Sequence, residues 1–250
     1  VAAPELLTAI DYTPFMEEMP ARVALHRYCA LLANCADRLD DSLFGFHLGQ
    51  DIRTADFGIL GYLIETGENL QQAVTSLLKY DALVADIGVA DFGISSQEAY
   101  VRWQPHLPTN RHVVLRNMTA WVATVRHLIE PNLSPRSLTL TYDFSQSERD
   151  EMSRWFACDI TAGATHNELR FGAELLTRHF ATENRVVHAN LLQLSELELK
   201  KQAQATSVCS RVEQLMRLRE DLQKCSLTEL AQALHLTPRT LQRKLKKEHT

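Results

Sequence analysis

The sequence predicts an α+β domain, with a small and mostly antiparallel sheet covered by helices, followed by an all-α helix-turn-helix unit. Three observations carry that prediction. Residues 137–144, SLTLTYDF, alternate apolar and polar side chains with the period of a strand, and residues 82–104 read as two further strands around a turn. Stripes of apolar residues at helical spacing lie on both sides of these stretches, which is the mixture an α+β layer architecture needs. Residues 226–247 reduce to two short amphipathic segments separated by a three-residue turn.

Taken in chain order, residues 20–39 place Ala24, Tyr28, Leu31, Leu32, Cys35 and Leu39 on one helical face, and Pro20 suits a first turn. A second helix is predicted over 69–80, with Leu70, Val74, Leu77 and Leu78 inward and Thr66 or Asn69 as its cap. Gly58 and Gly61 in FGILG have the look of a phosphate loop, but no lysine or clear strand accompanies them. Close packing or a turn is the better reading. In the strand pair, Tyr100, Arg102 and Gln104 take one face and Val101 and Trp103 the other. A helix over about 110–130 aligns Val113, Val114, Asn117, Trp121 and Val125. The alternating stretch turns Leu138, Leu140, Tyr142 and Phe144 one way and Thr139, Thr141 and Asp143 the other. A short helix over 147–156 and a strand near 168–171 complete the sheet domain. Helical character then dominates, and the leucine-rich LLQLSELELKKQAQ, 191–204, reads as an interdomain helix or a dimer seam. A boundary is expected near AQATS, 203–207, giving domains 1–203 and 207–250.

Composition is that of an ordinary folded protein, 45% hydrophobic and 23% charged over 250 residues. The longest apolar run, FGILGYLI, falls far short of the roughly 20 residues a bilayer crossing requires. Glu5 and Asp11 stand where a secretory signal needs basic and apolar residues, so a cytoplasmic protein without membrane contact is expected. Cys29, Cys35, Cys158, Cys209 and Cys225 show no two-residue spacing and are read as free thiols. The ten histidines lack zinc spacing, and no nucleophile elbow, phosphate loop or dinucleotide fingerprint is present. The expectation is a protein that is not an enzyme and takes no metal or cofactor.

Charge divides the chain. Ser207–Thr250 holds nine Lys or Arg against five acids, a balance of +4, while the other 206 residues hold 17 against 26, a balance of −9. A basic tail on an acidic body points to a polyanionic partner. Within the tail, Ser226 and Glu229 have capping-box spacing before the apolar face Leu227, Leu230, Ala231 and Leu234. His235 stops that helix, where histidine tolerates a left-handed backbone better than most residues. Thr237 caps the next helix and Pro238 opens it. Leu236, Leu241 and Leu245 point back to the first helix, and Arg239, Gln242, Arg243 and Lys246 recur at i, i+3, i+4 and i+7 on the other side. That is the geometry of a helix read in a major groove. Arginine can grip the two acceptors of guanine, and glutamine the donor and acceptor of adenine. Arg239, Gln242 and Arg243 are therefore the expected base readers on double-stranded DNA, and Thr237, Lys244, Lys246 and Lys247 the expected phosphate contacts. The competing reading is an oligomerising sensor whose basic helix docks an acidic protein.

LTELAQALHLTPRTLQRKLKKE resembles the first helix-turn-helix of AraC/XylS-type transcriptional regulators, and RVEQLMRLREDLQKCS before it resembles that domain's opening helix. The stretch from MPARVALHRYCALLANCADRL through SLLKYDALV, together with RWFACDITAGATHNELRFGAELL at 154–176, is similar to the effector-binding and dimerisation region of the subgroup labelled arabinose-binding. The resemblance implies a homodimeric regulator controlled by a small-molecule effector, with Arg239, Gln242 and Arg243 at base-contacting positions. It also implies two helix-turn-helix units joined by a long helix. Because only the first of these lies before Thr250, the sequence is expected to be a piece of a longer protein that binds DNA poorly by itself. It names no effector. Tyr62, Tyr100, Arg102, Trp103 and Trp121 are pocket candidates that base rates assign more often to core or sheet face.

Overall fold

The computed structural model describes residues 23–85, 87–206, 208, 212, 226–234 and 236–248. The chain forms two compact units, one up to Leu192 and one from Gln193.

In the first unit, helix α1 (Leu25–Leu39) buries Leu32, Cys35 and Ala36 and ends where Asp40 takes a left-handed backbone. Leu39, expected inward, is 53% exposed, since the chain turns away from the core at that point. Pro20 lies outside the described residues. Helix α2 (Phe44–Gln50) crosses close to the long α5 (Arg111–Leu128): a Cβ on Gly45 would stand 2.1 Å from the His112 carbonyl oxygen, so only glycine permits the approach. A 3-10 turn (Thr54–Phe57) leads into α3 (Gly58–Glu65), and a Cβ on Gly61 would meet the Thr54 carbonyl at 1.6 Å. FGILG is thus a packing contact and not a phosphate loop.

Helix α4 (Leu70–Val84) starts at Asn69, whose side chain accepts the Gln72 amide at 3.0 Å. Its buried face is Leu70, Ala73, Val74, Ser76 and Tyr80, and the expected inward Leu78 is exposed. The true stripe follows i, i+3, i+4 and runs past Leu78 on its solvent side. Strands β1 (Gly88–Ile94) and β2 (Glu98–Pro105) pair antiparallel, and β2 buries Ala99, Val101 and Trp103 while Tyr100 and Arg102 face the other way. Helix α5 is capped by Asn110, which accepts the Val113 amide at 3.1 Å, and it is buried on most of its circumference.

Only Ser137–Thr139 of the alternating stretch is a strand (β3). The alternation itself is correct: Leu138, Leu140 and Phe144 are buried. Beyond Thr139 the ladder partner is replaced, because the buried Asn167 side chain accepts the Thr141 amide at 3.0 Å. Helix α6 (Gln146–Phe156) opens with a full capping box between Ser145 and Glu148 and crosses over to β4 (Asp159–Thr161), which lies parallel to β3. β5 (Asn167–Gly172) inserts between β2 and β3 and is antiparallel to both. The sheet order is therefore β1-β2-β5-β3-β4, mixed through one parallel pair. β4 had no sequence signal, being three residues long and mostly exposed.

After a 3-10 turn (Ala173–Thr177), helix α7 (Arg185–Thr206) runs from the first unit into the second. Helices α8 (Leu227–Ala233) and α9 (Pro238–Glu248) close the described chain. Their core is Leu230, Ala231, Leu234 and Leu241 with Val208 and Val212, and Leu227, Leu236 and Leu245 pack against it. Among the described residues no helix is long and apolar enough to cross a membrane.

Candidate functional site

Helix α9 is placed by the residues that point away from solvent. Leu241 is fully buried, and the Leu236 amide donates to the Ala231 carbonyl at 2.8 Å, which fixes the turn between α8 and α9. At the start of α8, Ser226 accepts the Glu229 amide while Glu229 accepts the Ser226 amide, both at 3.2 Å. A cap of this kind is worth about 1 kcal/mol. Thr237 plays the same part for α9: its hydroxyl accepts the Thr240 amide at 3.2 Å and donates to the Thr240 hydroxyl at 2.9 Å. His235, expected to end α8, lies outside the described residues, as does most of the segment before Ser226.

With the leucines inward, Arg239, Gln242, Arg243, Lys244, Lys246 and Lys247 are all exposed, and so is Thr237. Arg239, Gln242, Arg243 and Lys246 share one face by their spacing, with no acid among the residues of α9 before Glu248. Five cationic side chains on three helical turns give a local positive field, and backbone amides at the N-terminal end add to it.

The first unit contains a different kind of feature. A cavity of about 110 Å³ lies between α3, α4, α5 and the inner face of β2 and β5. Leu60, Ile64, Val74, Val101, Val125 and Leu169 are among the residues that line it, and among the described residues no charged one does. Thr124 is the exception to its apolar character, and the Thr124 hydroxyl is buried without a hydrogen-bond partner. A threonine in a helix usually bonds back to the carbonyl one turn earlier. A hydroxyl buried without a partner costs about 1–3 kcal/mol. Arg126 braces one side, donating to the Leu133 and Trp155 carbonyls at 2.7 Å each and so holding the connection that carries Leu133 and Pro135 against α5.

Of the pocket candidates taken from the sequence, Trp121 lines this cavity and the others do not. Trp103 belongs to the main core, and Tyr62 is 49% exposed on α3. Tyr100 and Arg102 lie on the outer sheet face, where Arg102 and Arg170 enclose Glu168, itself 2% exposed. Both guanidinium groups stack against the Tyr100 ring, at 4.5 and 5.7 Å. These residues neutralise a buried carboxylate. Spacing could not have found the cavity, whose walls come from segments as far apart as Phe57 and Leu175, but Thr124 between Val122 and Val125 on an apolar helix face was a signal that sequence reasoning passed over.

Among the described residues no group of three His, Cys, Asp or Glu could hold a metal ion. Cys29, Cys35 and Cys158 are free, and burial, followed by the Asp159 charge, pushes the Cys158 thiol up to about 11, so it holds its proton at neutral pH.

Residues 1–180 match the family model described as the arabinose-binding domain of AraC transcription regulator, N-terminal. The crystal structure of the transcriptional regulator CdpR from Pseudomonas aeruginosa is similar, with a TM-score of 0.57, 21% identity, and coverage of 98% of this chain and 79% of that one. At that identity the likeness speaks for the fold. No curated protein matches the chain significantly.

Proposed function

We propose a function from one premise: the chain belongs to the family of AraC transcription regulators that carry the arabinose-binding N-terminal domain. The protein is a cytoplasmic, sequence-specific DNA-binding regulator, without enzymatic activity, that acts as a homodimer under control of a small molecule bound in its first unit. Residues 1–203 sense and dimerise, and residues 207–250 form the first helix-turn-helix of a DNA-binding domain. The observation that carries this reading is the exposed face of α9, which pairs a buried Leu241 with an acid-free stripe of Arg239, Gln242, Arg243 and Lys246.

In this reading α9 lies in the major groove, presented by α8 across a short turn. Arg239 and Arg243 donate to the O6 and N7 acceptors of guanine, and Gln242 pairs its amide with adenine. Thr237, Lys244, Lys246 and Lys247 meet phosphates, which supply affinity and register without sequence information. Effector control follows from linkage: a ligand that binds one arrangement of the dimer more tightly raises the population of that arrangement and, with it, the affinity for a given operator spacing.

The test is fluorescence anisotropy of the full-length protein on duplex DNA from upstream of its own gene beside a scrambled duplex. Arg243→Ala should remove about 1–3 kcal/mol of the preference for the native duplex. Equal binding to both duplexes, unchanged by the substitution, would leave α9 as a docking surface for an acidic protein.

A further inference from the structure

We infer that the cavity between α3, α4 and α5 takes a small, uncharged, largely apolar molecule with at most one polar group, and that a sugar is excluded from it. The inference rests on the reading of this chain as an effector-controlled regulator, and it assigns that effector a chemical class and a place.

The volume sets the size. About 110 Å³ is close to the ~150 Å³ at which an apolar protein cavity stays dry and admits benzene. A single six-membered ring or a short alkyl chain fills such a space.

The walls set the polarity. Apart from the Trp121 indole nitrogen, the described lining residues bring one side-chain heteroatom, the Thr124 hydroxyl. Thr124 is 7% exposed, and its hydroxyl has no partner among the described residues. The hydroxyl is closed off from the space as the side chain stands, so one polar group on the ligand is matched, as donor or acceptor, only once Thr124 turns toward it. A pentose bears a hydroxyl on nearly every carbon, and all but one of these would lose water without replacement. A carboxylate or ammonium would find no countercharge among the described residues, none of whose charged side chains lines the space. The label of the family's domain thus does not fit the cavity of this chain.

The cavity also lies where occupancy can be felt. Leu70, Ala73, Val74 and Leu77 on α4 and Trp121, Thr124, Val125 and Leu128 on α5 face the same void, so filling it adds contacts between two helices that otherwise meet across a gap.

The experiment is calorimetric titration and thermal unfolding of the full-length protein with toluene, benzyl alcohol and L-arabinose. Toluene and benzyl alcohol should each bind saturably at one site and raise the melting temperature, benzyl alcohol the more tightly, and L-arabinose should do neither. Ala73→Leu, which fills the void, should weaken benzyl alcohol by at least about tenfold while melting no lower than the parent. Thr124→Val should keep toluene binding and lose the preference for benzyl alcohol, and it decides the matter where Ala73→Leu fails to fold. Saturable binding of L-arabinose that Ala73→Leu weakens, or no binding of either aromatic probe to the folded protein, would overturn the inference. DNA affinity measured in the same samples separates the two readings. Aromatic binding with unchanged DNA affinity keeps the ligand class and removes effector control; arabinose that shifts DNA affinity keeps effector control and removes the ligand class.

Discussion

Helix α5 builds two cores of different quality. On one side Val114, Leu115 and Met118 pack with Phe46, Leu138, Leu140, Met152 and Phe156, all buried to within 1%. Phe46, Trp155 and Phe156 lock that side through ring contacts at 4.8–5.8 Å. On the other side Leu128 meets Leu70, Val74 and Val101 around a void of about 110 Å³. The residues are of the same chemical type on both sides, so hydrophobicity does not distinguish them. Packing does: one side is closed by contacts among fully buried side chains, and the other leaves a void of that volume unfilled. A filled core and an unfilled one thus lie across the width of a single helix.

Substitutions can break or sharpen this contrast. The largest effect is expected from Phe156→Ala, which should cost about 3–5 kcal/mol in chemical denaturation because its fully buried ring leaves a hole that rigid neighbours cannot close. A loss below about 1 kcal/mol would mean that the first core is not packed as described. Leu70→Ala should cost about 2 kcal/mol, the low end for such a truncation, since part of its surroundings already lacks partner atoms. Equal losses at the two positions, measured side by side, would erase the distinction between the cores.

The smallest effect concerns pH. His47 bridges Asp41 and Glu151 at 2.8 Å on each side, tying α2 to α6 at the edge of the packed core. Burial lowers its pKa, but the hydrogen bonds and charges of Asp41 and Glu151 together outweigh burial, so the net shift is upward. A raised folded-state pKa stabilises below the ordinary histidine value of about 6.5, and that contribution fades as pH rises through the folded value. The melting temperature should therefore drop slightly between mildly acidic and mildly alkaline buffer, and His47→Gln should flatten that dependence. An unchanged slope in the variant would show that the bridge carries no linkage.

Most of the regular elements were legible because their signals are local. Asn69 caps α4, the Ser226–Glu229 box opens α8, and Leu236, Leu241 and Leu245 orient α9, all within a few residues of where they act. Helices α2 and α3 escaped because FGFHLGQ and GILGYLIE are apolar nearly all round and contain glycines, so no 3.6-residue period stands out. Their glycines are explained only by backbones that pass close by, His112 for Gly45 and Thr54 for Gly61. The exposed stripe on α9 was readable for the same reason as its caps. The cavity was not, because it is a property of how α3, α4, α5 and two strands fail to fill a space, and Trp121 alone among the aromatic candidates happens to reach it.

The proposed role of the charge on α9 can be measured directly. The observed affinity of the full-length protein for its upstream duplex should be recorded against salt concentration, alone and as Lys244→Gln. Neutralisation of about five phosphates gives a log–log slope near −4, and loss of one phosphate contact should bring the slope about one closer to zero with sequence preference unchanged. An affinity that does not fall with salt, or a slope that Lys244→Gln leaves in place, would contradict a DNA-facing α9.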